Sequence, residues 1–199
     1  MRAERTTAAA ARVSEQRSFH GTRAQDRTLP SGACCARVRR VPASDDPAAV
    51  LTRLLHAVDD LDWDEVRACF TDELRIDYTE LFVGEPETLP ADELIERWKG
   101  VMPGFDATQH MTGPCLLQER DGGLVVQTHV RGYHTIGSGD GAVTWAVHGH
   151  YVVPLERAAD GWRIGGITLR VFYQEGDTDL PAKAAERAAE SPRAVRSRS

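Results

Sequence analysis

Phe105-Asp-Ala-Thr-Gln-His-Met-Thr-Gly113 and Leu124-Val-Val-Gln-Thr-His-Val-Arg-Gly-Tyr-His-Thr-Ile136 decide how this 199-residue chain is read. The pattern predicts two long neighbouring strands joined by a turn at Asp121-Gly122-Gly123, each delivering a histidine. Successive side chains on a strand face opposite ways. In the second strand Leu124, Val126, Thr128, Val130, Gly132, His134 and Ile136 therefore form the apolar, core-facing row. His129, with Val125, Gln127, Arg131, Tyr133 and Thr135, belongs to the wetter row. His134 is then a polar residue at the end of a buried row, where it must be hydrogen-bonded or do chemistry. In the first strand His110 lies between Thr108 and Thr112, a mixed pattern that assigns no face. His110 and His134 are the leading site candidates.

Composition narrows the classes. The chain is long enough for one domain with a substantial core, 41% of its residues are apolar, and its net charge is −6. Residues 1–44 carry nine Arg against three acids, and residues 181–199 five bases against two acids, which leaves 45–180 with ten bases against 25 acids. An acidic body argues against a nucleic-acid groove or an anionic membrane surface as partner. Cys34, Cys35, Cys69 and Cys115 form no metal or C-x-x-C spacing, which points to a reducing, cytoplasmic setting. No apolar run approaches a membrane span.

Residues 1–44, rich in Arg, Ala, Ser and Thr, read as a disordered basic extension, with an upstream start site or an organellar transit peptide as alternatives. The folded domain is expected over 45–180. Ser44-Asp45-Asp46-Pro47 opens a helix whose stripe is Val50, Leu51, Leu54, Leu55 and Val58, and Asp59 borders that stripe near the C-terminal end. A carboxylate there meets the unfavourable end of the helix dipole and needs a partner. The plain alternative is a helix-end Asp bonded to a nearby backbone amide. Asp62 and Glu65 have capping-box spacing at the start of a second helix. Leu74-Arg75-Ile76-Asp77-Tyr78 alternates as a strand with Tyr78 on the inner face, where a structural partner for its hydroxyl is the plain alternative. Residues 79–88 read as a loop. A third helix opens at Pro90-Ala91-Asp92-Glu93 and stops at Pro103-Gly104. After Gly137–Gly141 comes a strand with Val143, Trp145, Val147, Tyr151, Val153 and Leu155 on one face and His148 and His150 on the other. Asp160-Gly161 turns it into a last strand, where a parity shift at Gly165-Gly166 predicts a bulge. Residues 181–199 read as a disordered Ala/Arg-rich tail with a frayed helix at 182–190. The class is α+β: a curved antiparallel or mixed sheet, cone-shaped, closed by three helices.

Glycine-rich phosphate loops, G-x-S-x-G and H-E-x-x-H are absent from the sequence, which disfavours nucleotide, serine-hydrolase and zincin chemistry. His148 and His150 share a strand face as metal ligands could, but opposite the apolar face they read as surface or interface histidines, so no metal or cofactor is expected. Acid/base work by Asp59, Tyr78, His110 and His134 remains.

Asp62-Trp63-Asp64, Leu74–Tyr78, Thr108-Gln109-His110, His134 and Asp160-Gly161-Trp162 together give residues 50–177 a resemblance to SnoaL-like members of the nuclear transport factor 2-like superfamily, most of all to the scytalone dehydratases. The resemblance implies a cone of helices on a curved sheet around a deep apolar pocket. It implies His110 as general base and acid, Asp59 as its orienting carboxylate, Tyr78 as holder of the water that polarises a carbonyl, and His134 as helper at a departing hydroxyl. Val58, Trp98, Val130, Val153 and Leu169 are the expected pocket walls. Two departures stand out: Val58 replaces a pocket tyrosine, and Tyr151-Val152-Val153 offers no pocket asparagine. The expected function is a cofactor-independent lyase or isomerase acting on a small hydrophobic, cyclic hydroxy-carbonyl compound. The alternatives are a non-catalytic binder of the same molecules or a polyketide-type cyclase. Oligomeric state stays open, a homodimer or homotrimer included.

Overall fold

The computed structural model describes residues 46–120 and 123–195. The basic extension expected at 1–44, the domain boundary at 45 and two residues of the Asp121-Gly122-Gly123 turn lie outside the described residues. Helix α1 (Ala49–Asp60) follows Asp46, whose Oδ1 accepts the Ala48 N–H at 3.0 Å. It buries Val50, Leu51, Leu54, Leu55, Ala57 and Val58. The helix ends at Leu61, a non-glycine residue at φ 59° whose N–H and that of Asp62 satisfy the Val58 and Ala57 carbonyls. A left-handed leucine costs about 1–2 kcal/mol. Its side chain is 1% exposed, and burying a leucine contributes about 1.5–3 kcal/mol, so burial offsets the strain. The chain thereby turns sharply two residues after Asp59.

Asp62 caps helix α2 (Trp63–Cys69) by accepting the Glu65 N–H at 3.2 Å, while the Glu65 carboxylate accepts from Arg53 and ties α2 to α1. Strand β1 (Phe70–Asp77) follows, then β2 (Glu87–Pro90), then helix α3 (Ala91–Lys99). The loop expected at 79–88 is therefore two residues too long. Four-residue β2 is an edge strand with one buried side chain, Leu89, and it ends on a proline that cannot donate to a ladder. Such a strand has no period to detect.

Strands β3 (Ala107–Thr112), β4 (Leu116–Arg120), β5 (Gly123–Ile136), β6 (Val143–Ala158) and β7 (Gly161–Gly176) complete a seven-stranded sheet in the order β2-β1-β7-β6-β5-β3, with β4 also on β5. The first histidine strand is thus two strands, interrupted at Gly113-Pro114-Cys115, both antiparallel to β5. The pairing of β1 with β7 is parallel, which makes the sheet mixed. Between the pairs Val152–Thr168 and Leu155–Ile164, β7 holds one residue more than β6, which is the bulge expected near Gly165-Gly166. A Cβ on Gly166 would lie 2.4 Å from the Arg75 carbonyl, so only glycine lets β1 close on the bulge. The result is a curved, unclosed sheet with helices against its concave side, the α+β architecture expected.

One expectation needs correcting. Residues 180–190 form helix α4 (Leu180–Glu190), which is docked and not frayed, and the chain stays described to 195. Leu180 and Ala184 are buried, Arg187 meets Asp106 at 2.9 Å, and the Arg193 N–H donates to the Pro103 carbonyl at 2.8 Å. The Ala/Arg composition hid this because the buried stripe consists of one leucine and one alanine an i,i+4 step apart. The contact is close enough to test. A Cβ on Gly104 would fall 1.8 Å from the Ala184 carbonyl oxygen. Gly104→Ala should destabilise the fold by about 1–3 kcal/mol through overpacking, read as a lowered Tm in thermal unfolding. An unchanged Tm would mean that α4 is not held as described.

Candidate active site

Asp59 closes α1, and His110 points inward from β3 to meet it. His110 Nδ1 is 2.7 Å from Asp59 Oδ1, and the His110 backbone N–H donates to Asp59 Oδ2 at 2.8 Å. Both readings of Asp59 thus hold at once, one oxygen on an imidazole and the other on an amide. Burial pushes this carboxyl up, but hydrogen bonds and charge from His110 outweigh it and hold Asp59 below its ordinary value. Thr108 also favours the ionised form, yet its Oγ1 makes no hydrogen bond of good geometry, so the His110 contacts carry the effect. An ionised carboxylate only accepts, so Nδ1 carries the proton and Nε2 of neutral His110 is left as the basic atom. The two side chains are 12% and 15% exposed. Behind them Arg193 Nη2 donates to the Asp59 carbonyl at 3.3 Å, a cation at the negative end of α1.

His134 stands beside this pair. Its ring is 5.3 Å from that of His110, 4.9 Å from Phe105 and 4.7 Å from Trp145. Register sets His110 opposite Gly132 and Thr108 opposite His134. A Cβ on Gly132 would sit 3.2–3.3 Å from both imidazoles, so the glycine makes the space in which they meet. Burial, and then the adjacent His110, lower His134 from 6.5 to about 3, and its Nδ1 has no hydrogen-bond partner among the described residues. It is a neutral imidazole near pH 7.

The rings face a cavity of about 400 Å³ between the helices and the sheet. Val58, Trp98, Val130 and Leu169 line it, together with Tyr78. Val153 does not; it is fully buried in the core. Tyr151 lines the cavity and was not singled out, although its parity on β6 with Trp145 and Val147 was the available signal. Burial pushes both phenols up, with further contributions from Tyr151 on Tyr78 and from Asp59 on Tyr151, so both stay protonated donors. The second cavity tyrosine thus comes from β6, in a fold whose α1 offers Val58. At the mouth, Phe82 and Val83 are exposed on the 79–86 loop. His148 and His150 are remote from the cavity. His148, read as a surface or interface histidine, is buried because Tyr173 stacks on it at 4.2 Å, and its Nε2 lies 3.1 Å from Glu175. No group of three His, Cys, Asp or Glu among the described residues is arranged to hold a metal.

The site's ionisation contributes its own share to the acid response of the fold. His134 has a folded value below its ordinary one, so the unfolded chain takes up the proton first. Stability is full above about pH 6.5 and falls as pH drops toward 3, whereas Asp59, also depressed, loses its share only below the ordinary carboxylate range. His134→Phe should flatten the decline of Tm with pH between about 6.5 and 4. An unaltered slope would show that His134 is not buried as a neutral ring.

Comparison with known proteins places this arrangement. Kfla4162 of Kribbella flavida is 27% identical over 71% of this chain and 93% of its own, with a TM-score of 0.60. Two proteins of Novosphingobium aromaticivorans match in fold. One, provisionally assigned as a scytalone dehydratase, is 14% identical over 65% of this chain and 84% of its own, at TM-score 0.56. The other, provisionally an aromatic ring hydroxylase, is 20% identical over 67% and 92%, at 0.57. No curated protein matches the chain. The family model described as a SnoaL-like domain matches residues 39–168, so the chain belongs to the SnoaL-like domain family of the nuclear transport factor 2-like superfamily.

Proposed function

We propose that this protein is a cofactor-independent lyase of the dehydratase type, or an isomerase, acting on a small, neutral, cyclic hydroxy-carbonyl compound. The observation that carries the reading is the His110–Asp59 pair, oriented by two hydrogen bonds, with the ring on the wall of a mostly apolar cavity. His110 Nε2 takes the proton from the carbon next to the carbonyl, and the carbonyl oxygen gains the negative charge of an enolate. Tyr78 and Tyr151 donate O–H hydrogen bonds to that oxygen, directly or through a water, and Asp59 stabilises the imidazolium. In a dehydration the enolate oxygen re-forms the carbonyl, the enolate carbon–carbon pair shifts to a new double bond between the α and β carbons, the C–O bond of the β-hydroxyl breaks, and the His110 proton leaves with that hydroxyl as water. In an isomerisation the same proton returns to a different carbon. His134, held neutral, serves the departing hydroxyl as a hydrogen-bond partner and not as a cation. An aldol-type cyclisation would begin with the same proton abstraction. The acidic body disfavours anionic substrates.

The test is steady-state kinetics and binding on a panel of cyclic β-hydroxy ketones, led by any ligand that mass spectrometry finds co-purified. His110→Ala should lower kcat by about 10²–10⁴-fold with binding nearly unchanged, because its proton transfer is realised in the transition state. Asp59→Asn should be milder, since it mis-sets the tautomer but leaves the base. Tyr78→Phe and Tyr151→Phe should each fall between, and the double variant should lose more than either. Tight binding without turnover would favour a ligand carrier. Turnover indifferent to His110 would remove the dehydratase reading.

A further inference from the structure

The two cavity tyrosines stand on different footings. Tyr151 lies within the ladder of β6, paired with Thr128 of β5 on one side and Leu169 of β7 on the other, so two strands fix its backbone. Tyr78 lies just outside a ladder. Strand β1 ends at Asp77, whose partner Thr168 closes the register of β1 with β7, and Tyr78 is the next residue. A hydrogen-bond donor serves a reaction only if it is held within about 0.5 Å of the productive geometry. Residue 78 therefore needs a hold that the sheet does not supply.

Polar contacts centred on Glu80 and Arg170 supply it. Where β1 has ended, the Glu80 carboxylate takes its place against β7: Oε2 accepts the Val171 N–H at 2.8 Å, as the carbonyl of a further strand residue would. Oε1 accepts from Arg170 Nη1 at 3.0 Å, and Arg170 Nη2 lies 3.5 Å from Asp77 Oδ2. The other Asp77 oxygen accepts the Thr79 hydroxyl at 2.8 Å and the Thr79 N–H at 3.3 Å. The Tyr78 carbonyl accepts the N–H groups of Leu81 and Phe82 at 2.9 and 2.8 Å. One guanidinium thus joins the residue before Tyr78 to the second residue after it, and the chain between closes into a turn. The Arg170 and Glu80 side chains are 49% and 40% exposed. Ion pairs so open to water contribute little to stability, so what the clamp fixes is geometry. We propose that Glu80, with Arg170, is a positioning residue for the Tyr78 hydroxyl, holding residue 78 where no strand does and keeping the phenol aimed into the cavity. This rests on the reading of Tyr78 as a donor to the substrate's carbonyl oxygen.

Fluorine NMR on the full chain, with its four tyrosines as 3-fluorotyrosine, tests the clamp without a substrate. The Tyr78 line is identified by its loss in Tyr78→Phe. In Glu80→Ala that line should shift and broaden, while the line of Tyr133, which packs on Arg131 and His148, stays in place. Circular dichroism and Tm should change little. Arg170→Met, which keeps the apolar stem and removes both ion pairs, should move the Tyr78 line in the same way. On the cyclic β-hydroxy ketones, Glu80→Ala should lower kcat by about 10–100-fold, and by no more than Tyr78→Phe does, with binding nearly unchanged. Added to Tyr78→Phe it should cost less than about twofold more, because its effect passes through the phenol. A Tyr78 line unmoved in both variants would overturn the proposal, as would a loss of rate equally large in the Tyr78→Phe background. The fluorine measurement needs no turnover, so a protein inactive on the panel would count against the dehydratase reading while an altered Tyr78 line still supports the clamp.

Discussion

One carboxylate joins the two halves of the architecture. Asp59 is fixed on the last turn of α1, and its oxygens bond the ring and the backbone amide of His110, so α1 and β3 are tied by a pair of polar contacts beside the shared apolar core. The grip on the amide matters as much as the grip on the ring. A carboxylate that held only an imidazole could swing with it. Bonding the amide of the same residue pins the carboxylate to the strand, so ring and strand keep one relative orientation. The left-handed Leu61 ends the helix just beyond that carboxylate.

The neighbouring ring adds a different property. The two imidazoles lie 5.3 Å apart, and burial followed by the adjacent ring of His110 holds His134 neutral. Asp59 bonds the ring of His110, while Phe105 and Trp145 surround His134 with apolar rings. The two histidines are alike in sequence and unlike in chemistry. Gly132 is the third member of this set, because any side chain there would press on both rings.

Much of this was legible in the residues. The alternation along 124–136 placed His134 inward, and the helical stripe of 50–58 put Asp59 at its edge. What remained hidden has physical causes. Pairing between Asp59 and His110 spans 51 positions, and no local period reports a contact of that range. Tyr151 was visible as an inward residue, but a phenol on an apolar row looks like core until the cavity behind it is known. Strand β2 is too short to show alternation, and α4 buries too little apolar surface to stand out from a tail. Val153 shares its strand face with Tyr151 but lies where the sheet is covered, and parity gives a side without giving depth.

The strap behind the site has a consequence for how the chain is made. The carbonyl of Asp59 receives the Arg193 guanidinium across 134 positions. During synthesis the N-terminal portion emerges first, at about 5–20 residues per second. The stretch holding Asp59, Tyr78, His110 and His134 has therefore left the ribosome well before residue 193 follows. Through that interval the Arg193 guanidinium is not yet at the carbonyl end of α1. The nascent chain can form the sheet before it can complete the back of its own carboxylate, and a late contact supports the residue that bonds α1 to β3.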